Sequence, residues 1–425
     1  MEIYTVKQGD TLSGIAQSFR IPLTQLIWDN GLEDPYQLVI GQALVIRFPL
    51  QIYTVQPGDT LFSIARQFRI SLRQLWRNNP ILQGTLNLYP DQTLILTYRE
   101  EGTSPLTVNG YAYPFIDMAL LRATLPFLTW LTPFTYGITK NGDLVDLDDR
   151  ELIALTRAQG ASPMMHLSTL TPDGGFSNEL AHLVLTDLSV QENLIAAIEQ
   201  QIKLRGYEGL DVDFEFVFPQ DAQPYADFLT RLHDRLSPQG YLVTAALAPK
   251  TSADQRGLLY EGHDYAAIGK AVDRVLLMAY EWGYTYSPPM AVAPLPNVRR
   301  VVEYALTEIP AEKLWLGIPN YGYDWRLPFV QGTKATSISN RYAVSLAQQY
   351  GAEISFDVNA QTPWFRYTDR DGVGHEVWFE DARSIQAKLN LISEYGLSGA
   401  GYWNMMRPFP QNWPLLNSLY RILPD

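Results

Sequence analysis

The stretches IYTVKQGDTLSGIAQSFRIPLTQLIWDN (residues 3–30) and IYTVQPGDTLFSIARQFRISLRQLWRNN (52–79) align without a gap at an offset of 49 residues. A repeat of this length means two copies of one small supersecondary unit, so the chain cannot be one continuous fold from its first residue. Each copy opens on a short alternating strand followed by Gly-Asp-Thr, where Asp10 or Thr11, and Asp59 or Thr60, can cap a helix by accepting from its free backbone N–H groups. That helix carries Leu12, Ile15, Ala16 and Phe19 in one copy and Leu61, Ile64, Ala65 and Phe68 in the other, the i, i+3, i+4, i+7 stripe of an amphipathic helix. A second short helix is predicted around Leu23, Leu26 and Ile27, or Leu72, Leu75 and Trp76, and a strand closes each unit at 43–46 and 93–96. The expectation is two small βααβ modules over residues 1–48 and 51–98.

Residues 99–105, REEGTSP, are polar and turn-rich and predict a linker over 99–106. Beyond it, apolar strand-like runs alternate with amphipathic helical patterns. The predicted strands are 108–115, 128–138, 163–168, 209–216, 242–248, 275–280, 314–320 and 399–404, with helices between most of them, such as 189–204 and 298–306. Eight such alternations predict an α/β fold, a (β/α)8 TIM barrel filling 107–425. One segment departs from the rhythm: TPWFRYTDRDGVGHEVWFED (362–381) reads as a hairpin turning at Asp371-Gly372. A small antiparallel insertion is therefore expected within about 328–380, between strands seven and eight.

Composition removes several functions. Acidic residues outnumber basic ones by 45 to 32, a net charge of −13, which argues against a nucleic-acid partner because a phosphate backbone demands a basic surface. No stretch approaches the ~18 uninterrupted apolar residues of a membrane span. With no cysteine and five scattered histidines, neither a metal site nor another cofactor is expected. The beginning MEIYTVKQGD has no basic n-region and no apolar core, so export by an ordinary signal peptide is not expected. The 25 Tyr, 17 Phe and 10 Trp point instead to recognition by stacking.

Residues 206–218 read GYEGLDVDFEFVF. In a strand the side chains alternate, so Asp211, Asp213 and Glu215 share one face and Val212, Phe214 and Phe216 the other. By itself this fits a half-exposed strand with a wetted acidic face. As the fourth strand of a barrel it places three carboxyls inside, where each buried charge costs several kcal/mol unless compensated. Glu215 then falls at the C-terminal end of the strand, where barrel active sites lie, and a charged Asp213 beside it raises the pKa of the pair and leaves a protonated acid near neutral pH.

Three short motifs now carry a resemblance. EGLDVDFE resembles the D-G-x-D-x-D-x-E signature of glycoside hydrolase family 18, the chitinase-like barrels, with Asp211, Asp213 and Glu215 at its last three acidic positions and Glu208 in place of the first Asp. MAYEW (278–282) resembles the family's M-x-Y-D motif, which puts Met278, Tyr280, Glu281 and Trp282 at the site, with Glu281 where Asp is usual. GYWNM (401–405) resembles the eighth strand, whose Trp403 would form the floor under a sugar. What the family implies is a retaining reaction without an enzyme nucleophile. Glu215 would be the acid and base, the substrate's own acetamido carbonyl would attack, Asp213 with Asp211 would steady the acetamido nitrogen, and Tyr280 would hold its oxygen.

The N-terminal repeats resemble LysM modules, which bind N-acetylglucosamine units of peptidoglycan and chitin. Their Y-x-V-x-x-G-D-T-L opening and central Asn imply glycan contacts from Gly9, Asp10, Thr11 and Asn30, and from Gly58, Asp59, Thr60 and Asn79. Two such modules before a family 18 barrel resemble the arrangement of spore cortex-lytic enzymes of endospore-forming bacteria, as does GYTYSPPMAVAPLPNV (283–298) after strand six. The implied substrate is cortex peptidoglycan, the implied location the spore coat or cortex, and the expected state a monomer. A chitin-directed hydrolase, a non-catalytic glycan-binding barrel and a structural coat protein remain the competing readings.

Overall fold

The computed structural model describes residues 1–32, 37–171 and 174–424. Each N-terminal repeat folds as a strand, two helices and a strand: Glu2–Thr5, Leu12–Phe19, Leu23–Asn30 and Ala43–Ile46, then Pro49–Thr54, Leu61–Phe68, Leu72–Asn78 and Thr93–Tyr98. The two strands of each module pair antiparallel. Of the two capping candidates, the threonine does the capping: Thr11 accepts from the Gly14 N–H, and Thr60 forms a reciprocal box with Ser63. Asp10 and Asp59 instead fix the turn, each accepting from a tyrosine hydroxyl (Tyr4, Tyr53) and a backbone N–H (Lys7, Gln56).

Eight parallel strands close into a barrel: Pro105–Ala112, Trp130–Pro133, Ser162–Ser168, Gly209–Asp213, Leu242–Leu247, Arg274–Leu277, Leu314–Pro319 and Gly399–Trp403. Closure is the pairing of the last of these with the first, Gly399 opposite Thr107 through Tyr402 opposite Gly110. Outward-facing Val212 and Phe214 are fully buried under the helices, with Phe214 stacked on Tyr225 and Phe228 of the helix Ala222–Leu236. Below the mouth, Met164, Ala246, Leu276 and Trp315 fill the barrel interior with Tyr111. Gly399 and Gly401 make room for this filling, since a Cβ there would come within 2.4 Å of Trp315 and 2.5 Å of Leu276.

The hairpin at Asp371-Gly372 is present, as Thr362–Thr368 and Gly374–Trp378, but it belongs to a larger body. Gly322–Leu327, Thr336–Ile338 and Ser355–Asp357 join it in a five-stranded antiparallel sheet covered by the helix Asn340–Tyr350. The insertion thus begins directly after the seventh strand rather than at about 328. The expected linker is also more ordered than its composition suggests. Pro105 already starts the first barrel strand, Arg421–Ile422 pairs beside it, and Gly102 lies against the backbone of Leu419 and Tyr420.

Both modules pack on the barrel. Buried Arg73 and Arg77 of the second module donate to backbone carbonyls of Pro126, Leu128 and Pro424. Gln411 donates to Asn30 and to the Ala43 carbonyl of the first, and Gly31 sits against Pro410. Among the described residues no helix is long and apolar enough to cross a membrane.

Candidate active site

The fourth strand ends at Asp213, so Asp211 and Asp213 are held by the ladder while Glu215 stands just past its C-terminal end. Parallel register puts Asp211 beside His166 on one side and Thr244 on the other, with Asp213 beside Ser168. Asp211 is buried at 1% exposure and accepts from the Tyr111 hydroxyl at 2.8 Å and the Thr244 hydroxyl. His166 Nε2 lies 3.6 Å from Asp211 and 3.7 Å from Asp213, and its Nδ1 is 2.6 Å from the Thr135 hydroxyl. Asp213 has one carboxylate oxygen, Oδ1, buried without a hydrogen-bond partner.

Burial dominates the electrostatics here. It pulls His166 down to about 3, so this imidazole is neutral at physiological pH and does not neutralise the aspartates beside it. Burial raises Asp211, against the opposing hydrogen bonds from Thr244 and Tyr111. Asp213 is raised further, by burial first and then by the charges of Glu215 and Asp211. Glu215 is raised to about 7, again by burial first and then by Glu281. Desolvation therefore leads in the folded protein, and the charge coupling between Asp213 and Glu215 expected from the sequence adds to it, with Glu281 a further carboxylate acting on Glu215.

These groups open into a cleft of about 710 Å3 whose lining includes Asp213, Glu215, Met278, Tyr280, Glu281 and Trp403. Trp403 ends the eighth strand and packs against Phe134, with ring centres 4.9 Å apart, and against Tyr111 and Tyr113. Phe115 stacks on Tyr113 at 5.3 Å and is 78% exposed, which extends the aromatic wall outward. Tyr280 is nearly buried, and its hydroxyl is pushed up by burial and then by Asp213 and Glu215, so it keeps its proton and can donate it to a ligand. Glu281 has a left-handed backbone, φ 64°, which for a non-glycine residue costs of order 1–3 kcal/mol. Its carboxylate is held by the hydroxyls of Tyr321 and Tyr323. A smaller pocket of about 100 Å3, lined by Pro249, Leu259, Tyr260 and Trp282, meets the cleft at Glu215.

The module residues divide into two groups. Gly9, Thr11, Gly58 and Thr60 are exposed, and Asp10 and Asp59 partly so, in turns that face outward. Asn30 and Asn79 are buried at 6% and 4%. Asn79 donates to the Leu75 and Ile95 carbonyls and accepts from the Ile95 N–H; Asn30 repeats this with Leu26 and Val45. Both amides are therefore spent on joining helix to strand, which corrects their expected place among glycan-contacting groups. Glu208 lies exposed at the opposite end of the barrel, bonded to Ser162.

Tyr111, His166, Thr244, Tyr321, Tyr323 and Arg407 belong to the site and were not anticipated. Tyr111 and Tyr113 had a signal, two aromatics at strand spacing at the end of an apolar run. The others depend on which strand lies next to which. Among the described residues no group of His, Cys, Asp and Glu side chains is disposed to hold a metal ion.

The family model for glycosyl hydrolases family 18 matches residues 166–407, and the LysM domain model matches 4–47 and 53–97. The chain is 43% identical over 427 residues to the cortical fragment-lytic enzyme of Bacillus subtilis (strain 168), covering 100% of this chain and 99% of that one. It is similar to the crystal structure of the Bacillus cereus spore cortex-lytic enzyme SleL, with TM-score 0.84, 37% identity and coverage of 99% and 98%. A chitinase from Chromobacterium violaceum ATCC 12472 aligns with the barrel part, with TM-score 0.69, 25% identity, and 74% of this chain against 99% of that one.

Proposed function

The chain belongs to glycosyl hydrolase family 18, and from that premise we propose that it hydrolyses the β-1,4 bond after N-acetylglucosamine in spore cortex peptidoglycan during germination. The cortex assignment leans on the names of the full-length relatives. The reaction assignment leans on one observation, the buried Asp213 whose Oδ1 has no partner within the protein. An unpartnered carboxylate oxygen on a residue that lines the cleft is free to accept from substrate. An acetamido N–H supplies the missing donor.

Glu215 borders both the cleft and the smaller pocket, as an acid must that protonates the oxygen joining two sugars. Raised to about 7, it keeps a substantial protonated fraction near neutral pH. As it donates, the acetamido carbonyl of the sugar over Trp403 attacks the anomeric carbon and closes an oxazolinium ring. Asp213 accepts from the acetamido nitrogen and stabilises the positive charge, and Asp211, steadied by Tyr111 and Thr244, maintains the negative field behind it. Tyr280 donates to the acetamido oxygen. Glu215, now a carboxylate, takes a proton from water, which opens the ring with net retention.

The N-terminal modules hold the enzyme to the glycan through the exposed turns at 9–11 and 58–60. Two weak sites on one chain raise the effective concentration of the barrel along an insoluble polymer. We place the protein in the spore coat or cortex. The N-acetyl group is the test of the chemistry: a glycan de-N-acetylated at the sugar before the scissile bond should be bound and left intact. Cleavage of that glycan at a comparable rate would sink the substrate-assisted route.

A further inference from the structure

Arg407 is the one cation among the described residues lining the cleft, where Asp213, Glu215 and Glu281 also lie. In a chain with a net charge of −13, a cation at this place would be expected to pair with one of them. It does not: among the described residues Arg407 forms no ion pair within 4 Å. Its contacts are with the insertion. One terminal nitrogen donates to the Ser337 hydroxyl at 2.9 Å and the other lies 3.3 Å from the Ser337 carbonyl. A guanidinium has five N–H donors in a planar fork, so three remain unassigned.

The surroundings are rigid. Ser337 lies in the strand Thr336–Ile338 of the insertion sheet, paired with Tyr323. On the barrel side Asn320 donates to the carbonyls of Asn404 and Arg407, which pins the backbone that carries the arginine beside Trp403. Burial lowers the guanidinium from its ordinary value, opposed by Tyr323 and Tyr321, and it stays charged at any physiological pH. A fixed, half-desolvated cation with free donors suits a planar anion, and bidentate pairing with a carboxylate is what such a fork does best.

We propose that Arg407 is a specificity-determining residue that recognises a carboxylate carried by the glycan, on the lactyl ether or the peptide stem of a muramoyl sugar, and so separates peptidoglycan from uncharged chitin. This rests on the glucosaminidase reading above, and it gives the insertion a part in recognition, because Ser337 orients the fork. A neutral N-acetylglucosamine polymer offers Arg407 no carboxylate, whereas a muramoyl-containing glycan does wherever a lactyl or stem carboxylate is free.

The test uses the full chain in a Glu215→Gln background, where binding is read without turnover. Affinities are measured by calorimetry for N-acetylchitotetraose, for an alternating tetrasaccharide with free lactyl carboxylates, and for that tetrasaccharide with L-alanine on each lactyl group. The acidic glycans should bind more tightly than chitotetraose, and Arg407→Gln should cut that preference by roughly tenfold or more. Arg407→Lys, which keeps charge but loses the fork, and Ser337→Ala, which loosens it, should fall between; either keeps the test alive if Arg407→Gln does not fold. The tetrasaccharide whose preference collapses most identifies the lactyl or the stem carboxylate. Equal losses for neutral and acidic glycans, or no preference to begin with, overturn the inference while wild-type cleavage of cortex glycan leaves the glucosaminidase reading standing. No wild-type cleavage of any glycan overturns both.

Discussion

Replacing Glu215 by Gln should stabilise the folded barrel at alkaline pH and leave it unchanged in acid. Burial and Glu281 raise this carboxyl from its ordinary 4.5 to about 7. Between those values the folded protein keeps a proton that the unfolded chain has released. Stability from this group is therefore fully present below about pH 4.5, declines as pH rises, and is lost above about 7. A displacement of roughly 2.5 pH units corresponds to about 3 kcal/mol. Gln has the same shape without the charge, so it avoids that loss. For a barrel of roughly 320 residues the unfolding entropy is about 0.7 kcal/mol/K, which turns the gain into about 4–5 °C. Scanning calorimetry of wild type and Glu215→Gln at pH 4 and pH 8 reads it directly: superimposed transitions at pH 4, a higher barrel transition for the variant at pH 8. A variant no more stable than wild type at pH 8 would mean that the carboxylate is well solvated there, and the burial argument for a neutral acid would fail.

Because the protonated form of Glu215 does the first chemical step, kcat/KM should fall about tenfold per pH unit above about 7; a profile flat to pH 9 would contradict the assignment. Asn79→Ala removes three buried hydrogen bonds from the second module and should cost about 2–4 kcal/mol. Limited proteolysis should then cut the module, while the glycan retention of the folded fraction stays at the wild-type level; lost retention in an undiminished, protease-resistant module would restore Asn79 to the glycan-binding groups.

The eight barrel strands were legible as apolar runs alternating with helical patterns, among them the helix Leu188–Arg205. Several strands stop earlier than the apolar pattern does, at Asp213, Leu277 and Pro319. At the barrel mouth the next residues leave the ladder to become the site, so Glu215, Tyr280 and Asn320 sit beyond the hydrogen bonds that a strand pattern implies. The insertion showed only its Asp371-Gly372 hairpin; strands of three residues, Thr336–Ile338 and Ser355–Asp357, are too short to display alternation. His166 and Thr244 read as ordinary strand residues until register sets both beside Asp211. Arg407 becomes part of the site only because a sheet strand 70 residues away in sequence brings Ser337 to it. The module asparagines fail for another reason: a residue needed to join helix and strand has the same sequence pattern as one that touches a ligand.

Product analysis decides whether a protonated Glu215 in this cleft cleaves after N-acetylglucosamine. Wild type and Glu215→Gln are incubated with spore-cortex glycan fragments, new reducing ends are marked with borohydride, and the products are identified by mass spectrometry. Wild-type products should end in reduced N-acetylglucosamine and be almost completely lost in the variant. Products ending in reduced muramic acid, or equal yields from both proteins, would contradict that assignment.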